Sequence, residues 1–355
     1  MRYVLLFLLL CSCKIRYNEK NASIKRVDSF YLTGINDFSD VMNLDYVNDS
    51  TFYSFNFNSN ALEKFSKIGS CNFKYVYEKQ IQIEDVLQTF CVLNSNLFLL
   101  VDFENRHYVF DTSMRIHKLH IQDIKEHLGK NYINASLKYH PISFQNNKFW
   151  SIYYFMHLDS YTQYFDEPSL CEYEIRNDKI LKLSSCVYKP TDLINYDAPY
   201  PMFCDNGDSI VLLYPCFDSL YIVNKSTKVI SKRKIGNLSF KLPAPWDYHQ
   251  MFTDTFNAYK TRYELKNFKY QAIIFNPNTR HYLLFYLEPS IDAYTQPLKL
   301  LVLNNKFETI DYYTFNEHFF HITNIVVIPN KGIALPIFPK DPEHEKNILY
   351  YIYNF

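Results

Sequence analysis

Three segments of this chain are apolar at every position: Leu97-Phe98-Leu99-Leu100-Val101, Ile210-Val211-Leu212-Leu213-Tyr214 and Tyr282-Leu283-Leu284-Phe285-Tyr286. Each is short and bounded by turn residues, which reads as a strand. Side chains on a strand alternate between two faces, so a strand that is apolar throughout needs a covering layer on both. A two-sheet sandwich leaves the outer face of each sheet wet. Radial packing, in which every antiparallel sheet lies against a neighbour on either side, covers both faces. The expected fold class is therefore all-β, a single β-propeller of four-stranded antiparallel blades.

The spacing of turn residues supports the hairpins such blades require. An apolar strand followed by a polar turn recurs as Thr51 to Phe57 with Asn58-Ser59-Asn60, Arg106 to Phe110 with Asp111-Thr112-Ser113, and Cys171 to Arg176 with Asn177-Asp178. It returns as Leu220 to Val223 with Asn224-Lys225-Ser226, and as Lys299 to Leu303 with Asn304-Asn305. Further strand pairs precede several of these: Val86–Leu93 with Leu97–Asp102, Met202–Asp205 with Ser209–Tyr214, and Tyr270–Asn276 with His281–Leu287. The chain holds 32 Tyr and 30 Phe, which favour strands, but only 6 Gly. Left-handed turn positions must then fall largely to Asn, which tolerates them better than other residues with a Cβ.

The ends complete the count. Ile24 to Leu32 is a strand, and so is Asn347 to Phe355. With Ile322–Ile328 and Ile333–Ile337 they make a composite unit in which the N- and C-terminal strands close the ring. Five internal units and this one give six blades; a unit hidden between 236 and 269 would make seven. That gap is expected instead to hold an irregular, partly helical insertion, since Asp247 to Lys266 has more helical than strand character. The propeller domain spans 24–355.

The first residues carry an export signal. Met1-Arg2-Tyr3 is a short positive region, Val4 to Leu10 an apolar one, and Leu10-Cys11-Ser12-Cys13 a cleavage region. The apolar run is too short to span a bilayer, which takes about 20 residues. Leu-x-Ser-Cys resembles the lipobox of bacterial lipoproteins, which implies lipid attachment at Cys13, a signal over 1–12 and a polar tether over 13–23. Cys11 is the weaker candidate, being preceded by a bulky Leu10. The alternative is a short buried N-terminal strand. The residues after Cys13 lack the acidic cluster that resembles a surface-export signal, and Lys14 is not the Asp associated with inner-membrane retention. The expected location is the cell envelope, lipid-anchored in the outer membrane and facing the periplasm.

The lipobox, the chain length, the Tyr- and Asn-rich hairpins and above all Tyr270 to Leu287 (YQAIIFNPNTRHYLLFYL) resemble the lipoproteins of Bacteroidota grouped as domain of unknown function family 4221. Ile274-Phe275-Asn276-Pro277 and His281-Tyr282-Leu283 stand where that family shows Ile-Tyr-Asp-Pro and Tyr-Tyr-Arg. The resemblance implies envelope location and a propeller-like fold. It implies no chemistry, because the family has no established activity.

Candidate chemistry is sparse. Lys plus Arg equals Asp plus Glu at 37 each, without long runs of either sign, which argues against nucleic acid as a partner. His117 and His120 fall on opposite faces of an expected strand, Arg115 to Ile121, so no metal site is read there. Asp341-Pro342-Glu343-His344-Glu345 reads as a solvated turn. There is no phosphate loop, nucleophile elbow or paired-cysteine zinc motif, and no cofactor is expected. If the hairpin around Asn177-Asp178 pairs Arg176 with Leu181, Cys171 lies opposite Cys186 within disulfide reach; two buried thiols are the alternative. Trp246, Asp247, Tyr248 and His249 lie in the longest interruption of the repeat, where binding residues on a rigid scaffold tend to be, although an insertion whose Trp packs on the blade beneath it is the favoured alternative.

Two functions fit these features. One is a non-catalytic platform binding an envelope protein, peptide or glycan. The other is a hydrolase or lyase whose acid and base groups, unidentified by any local motif, converge from separate blades on a central channel.

Overall fold

The computed structural model describes residues 25–33, 44–57, 59–70, 72–81, 87–102, 107–113, 116–119, 132–134, 143–155, 169–176, 179–187, 201–215, 217–236, 266–290, 298–315, 325–337 and 347–355. Cys13, the span Trp246–His249, His120 and the span Asp341–Glu345 lie outside them, as does nearly all of the insertion expected near 236–269.

The described residues form an all-β structure built from antiparallel meanders. After β1 (Lys25–Thr33), the first unit is β2 (Asp45–Asn48), β3 (Thr51–Asn56), β4 (Ala61–Ile68) and β5 (Asn72–Gln80). The second is β6 (Leu87–Asn94), β7 (Leu97–Asp102), β8 (His107–Asp111) and β9 (Ile116–Leu119). In the third, β10 (Tyr132–Asn134) and β11 (Ser143–Gln145) both pair with β12 (Lys148–Phe155), followed by β13 (Ser169–Arg176) and β14 (Lys179–Val187). The fourth is β15 (Met202–Asp205), β16 (Ser209–Leu213), β17 (Ser219–Asn224) and β18 (Ile230–Lys234). The fifth is β19 (Lys269–Asn276), β20 (His281–Leu287), β21 (Leu298–Leu303) and β22 (Thr309–Thr314).

The last unit is composite. β23 (Val326–Ile328), β24 (Gly332–Ile337) and β25 (Asn347–Asn354) run in sequence, and β1 adds as the outer strand, antiparallel to β25 from Lys25 opposite Asn354 to Thr33 opposite Asn347. β1 also pairs in parallel with β5 over Tyr31–Thr33 and Asn72–Lys74, joining the last and first units into one eight-stranded sheet.

The fully apolar strands do what their pattern requires. Along β7, Leu99 and Val101 pack with Phe149, Cys171 and Tyr173 of the third unit, whereas Phe98 and Leu100 pack with Tyr53, Phe55 and Leu62 of the first. Along β16, Val211 and Leu213 face the fifth unit and Ile210 and Leu212 the third. Along β20, Leu284 and Tyr286 face the fourth unit and Leu283 and Phe285 the last. Period-two alternation thus sorts one strand's side chains into two separate cores. Each buried Leu or Phe contributes about 1.5–3 kcal/mol. The aromatic load fills these layers with offset rings, such as Phe98 on Phe110 at 5.1 Å and Phe149 on Tyr173 at 5.0 Å.

The proposed disulfide register is corrected. Arg176 lies opposite Lys179, so Asn177-Asp178 is a two-residue turn, and a bulge between Glu172 and Tyr173 then shifts the ladder by one. Ser185 therefore stands opposite Cys171, and Cys186 stands opposite Leu170. A one-residue offset puts neighbouring positions on opposite faces, and Cys171 is a buried thiol, as are Cys91 and Cys204.

Candidate functional site

In an antiparallel meander of four strands, the first-to-second and third-to-fourth turns lie at one end, and the second-to-third turns and the connections onward lie at the other. Here the two ends differ in kind. At the first, every turn is two to five residues long. Backbone bonds set the paired turns side by side: Lys67 N–H to Ser50 O, Thr112 N–H to Asn96 O, and Lys225 N–H to Asp208 O. Asn or Asp at or just past the end of the strand closes several of them by accepting an amide two residues on, as Asn48 does from Ser50, Asn94 from Asn96, Asp111 from Ser113, Asn224 from Ser226 and Asn304 from Lys306, at 2.8–3.0 Å. Among the described residues, the left-handed positions at this end fall to Asn146, Asn147 and Asn330, to Lys228, Arg280 and Phe307, and to Gly69, Gly207 and Gly332, so Asn takes only part of the share expected of it.

Turns of neighbouring units meet at this end. Lys331 lies 3.7 Å from Asp49, and Asn206 donates to the Tyr282 hydroxyl at 2.5 Å. Lys228 reaches back from the fourth unit to Glu172 of the third at 2.7 Å and sits 4.5 Å over the Trp150 ring. A shallow cleft between the last and first units is floored by Phe30, Phe52 and Phe73 and rimmed by Asp28, Lys67 and Lys331.

The long connections leave from and return to strand ends at the opposite end: 34–44, 120–131, 156–168, 188–201, 288–297, 315–325, 338–346 and, longest, 235–268. Trp246, Asp247, Tyr248 and His249 belong to that longest one, and Asp341–Glu345 to another. The described strand ends here are firmly held. Tyr270 N–H donates to Pro215 O at 2.9 Å, tying the fifth unit to the fourth where the long connection re-enters. Asp102 is fully buried and accepts from the Tyr108 hydroxyl at 3.0 Å, with buried His107 beside it in sequence. His117 lies on β9 opposite Val109.

One titratable group stands out, and nothing in its local sequence announced it. Asp45 opens β2, and its Oδ2 accepts the Val92 N–H of β6 at 3.1 Å, bridging the first strands of two units. Burial pushes its carboxyl up to about 6, with the Val92 bond acting the other way. The Cys91 thiol is in turn pushed well up by burial and then by Asp45, so it is a poor nucleophile at neutral pH. Among the described residues, no three of His, Cys, Asp and Glu gather as metal ligands do.

No protein-family model matches the chain, and no curated protein matches it in sequence. Solved structures do. A streptogramin B lyase aligns at 9% identity over 92% of this chain and 98% of that one, with a TM-score of 0.47. Virginiamycin B lyase from Staphylococcus aureus aligns at 9% over 92% and 99%, with a TM-score of 0.46. A member of the DUF4221 family from Bacteroides vulgatus, 12% identical, superposes with a TM-score of 0.70 over 93% of this chain and 97% of that one. The chain thus shares its fold with a solved DUF4221 member, the family its Tyr270–Leu287 segment resembles.

Proposed function

We propose that this chain is an outer-membrane lipoprotein, acylated at Cys13 and facing the periplasm, whose body is a single six-bladed β-propeller acting as a non-catalytic platform for an envelope protein, peptide or glycan. The ring is supported by the cores. Each unit shares one hydrophobic cluster with the unit before it and another with the unit after, and Phe30, Tyr350 and Ile352 of the last pack on Phe52, Phe65 and Phe73 of the first. A recurring offset of the outer strands agrees: the end of β1 meets the start of β5, as Gly236 just past β18 meets Thr309 at the start of β22.

The observation that carries the binding role is that the long connections from one meander strand to the next, 235–268 above all, join strand ends at one end of a scaffold whose other end has turns of two to five residues. A hydrolase or lyase reading draws on Asp45, a carboxyl held near pH 6 at the edge of a first strand. Its described neighbour Cys91 supplies no second acid or base at that pH.

The test is affinity capture from the native envelope with tagged protein, alongside a Cys13→Ala variant. The platform reading expects the intact protein to fractionate with membranes and enrich a defined partner, and the variant to leave the membrane fraction. Absence of any partner, together with hydrolysis of envelope glycans or peptides by the purified protein, would reverse the reading in favour of an enzyme.

A further inference from the structure

The end of the molecule at which the chain enters β1 fixes which face an anchored protein turns to its membrane. Lys25 opens β1 opposite Asn354, and Asp28 and Ser29, a few residues on, line the same cleft as Asp49, Lys67, Ser70 and Lys331. Those residues are the short turns, so β1 starts at the short-turn end and runs toward the long connections.

A tether from 13 to 24 reaches at most about 40 Å when fully extended. Taking it back along the body to bring the other end to the bilayer would use about 30 Å of that, the length of a nine-residue strand. The side chains at the short-turn end fit a lipid surface in their own right. Of the six exposed large apolar residues among the described ones, Val27, Ile68, Val229 and Ile310 lie at this end, whereas Tyr31 and Val76 stand further along β1 and β5. Val27 lies two residues into β1, Ile68 ends β4, Val229 precedes β18 and Ile310 is second in β22. All four stand beside short turns on the outer part of their sheets. Isolated exposed apolar residues need no explanation; four on one rim, at the end the tether leaves from, have a common one.

We infer that the short-turn end is the membrane-facing surface, resting its rim of Val27, Ile68, Val229 and Ile310 on the lipid headgroup layer, and that the long-connection end points away from the bilayer. This inference rests on the Cys13 anchor proposed above. With the rim on the bilayer, the strand ends between which the 235–268 connection runs face away from it.

The experiment uses the full-length acylated protein in vesicles of phosphatidylethanolamine and phosphatidylglycerol doped with an acceptor-labelled lipid. A fluorescent non-canonical amino acid replaces either Asn305, at a short turn, or Pro289, in a long connection, so the native cysteines are left alone. The donor at 305 is expected to transfer severalfold more efficiently than the donor at 289, and changing the four rim residues to Ser is expected to shrink that contrast. Equal transfer from the two sites, or stronger transfer from 289, would overturn the inference. Failure of the anchor itself is read separately: if the intact protein does not float with the vesicles and Cys13→Ala behaves identically, the lipoprotein reading falls rather than the orientation.

Discussion

The two ends of the molecule obey different rules. At the short-turn end, sequence and backbone agree closely at many turns: an Asn or Asp at the strand end accepts an amide two positions on, and the next strand soon begins. Such turns are minimal solutions to reversing a strand and leave little room for anything else. At the long-connection end most joins are several times longer than reversal requires, with 57–60, 103–106 and 214–218 the short exceptions. Length beyond the geometric minimum costs little stability, because loop-closure entropy grows slowly, so it persists readily where it does something. The chain in excess of what strand reversal needs is thus joined to strand ends at one end of the sheets.

The difference can be broken or sharpened by substitution. The largest effect is expected at the short-turn end. Gly332 has φ near 132°, and a Cβ there would drive into the backbone carbonyl of Tyr353. Gly332→Ala should destabilise by about 3 kcal/mol or more in chemical unfolding. Gly207→Ala, with positive φ but open space around it, should cost only about 1 kcal/mol. Equal costs at the two positions would show that the closing unit does not approach as closely as described.

Asp45 gives the next effect. The folded protein holds its proton up to about pH 6, whereas the unfolded chain releases it near 3.8. The folded state therefore binds more protons between those values, and stability falls as pH rises through that window and stays lower above it. Asp45→Asn keeps an acceptor for Val92 and removes the ionisation. It should raise stability at pH 7 by about 2 kcal/mol and flatten unfolding free energy between pH 4 and 6. An unchanged pH profile would remove the burial of this carboxyl from the account.

At the long-connection end, Tyr108→Phe removes a hydroxyl from fully buried Asp102 and should cost about 1–2 kcal/mol. The smallest change is expected at Arg280, held at φ 58° in a short turn. Arg280→Gly should move stability by no more than about 0.5 kcal/mol, backbone strain relieved against chain entropy gained. A larger loss would mean the Arg280 side chain has a role beyond the turn.

Most of the strand order was legible because its causes are local. Runs such as Ile210–Tyr214 demand cover on both faces, and Asn-rich turns fix where they reverse; the composite last unit followed from strands at both ends of the chain. The Cys171–Cys186 register was not legible. Only two residues separate Arg176 from its partner Lys179, which moves the ladder by two from the expected pairing with Leu181, and the bulge between Glu172 and Tyr173 restores just one, so the remaining residue of slip exchanges the two faces. Asp45 was missed for another reason. Leu44-Asp45-Tyr46-Val47 reads as an ordinary strand with a polar residue, and only its placement against Val92 of a different unit desolvates the carboxyl. Glu172 and Lys228 were likewise unreadable, being 56 positions apart. Strand positions and reversals can be read from sequence, whereas exact register within a hairpin and contacts made between units cannot.

The central claim is that recognition belongs to the long-connection end, and it is tested most directly by trimming each end in turn. One variant replaces 238–264 with a short Gly-Ser linker, and the other replaces the turn Asn304–Glu308 with Asn-Gly, each confirmed folded by its unfolding transition. Capture of envelope partners should be lost in the first and kept in the second. Loss in the second with capture intact in the first would contradict the claim.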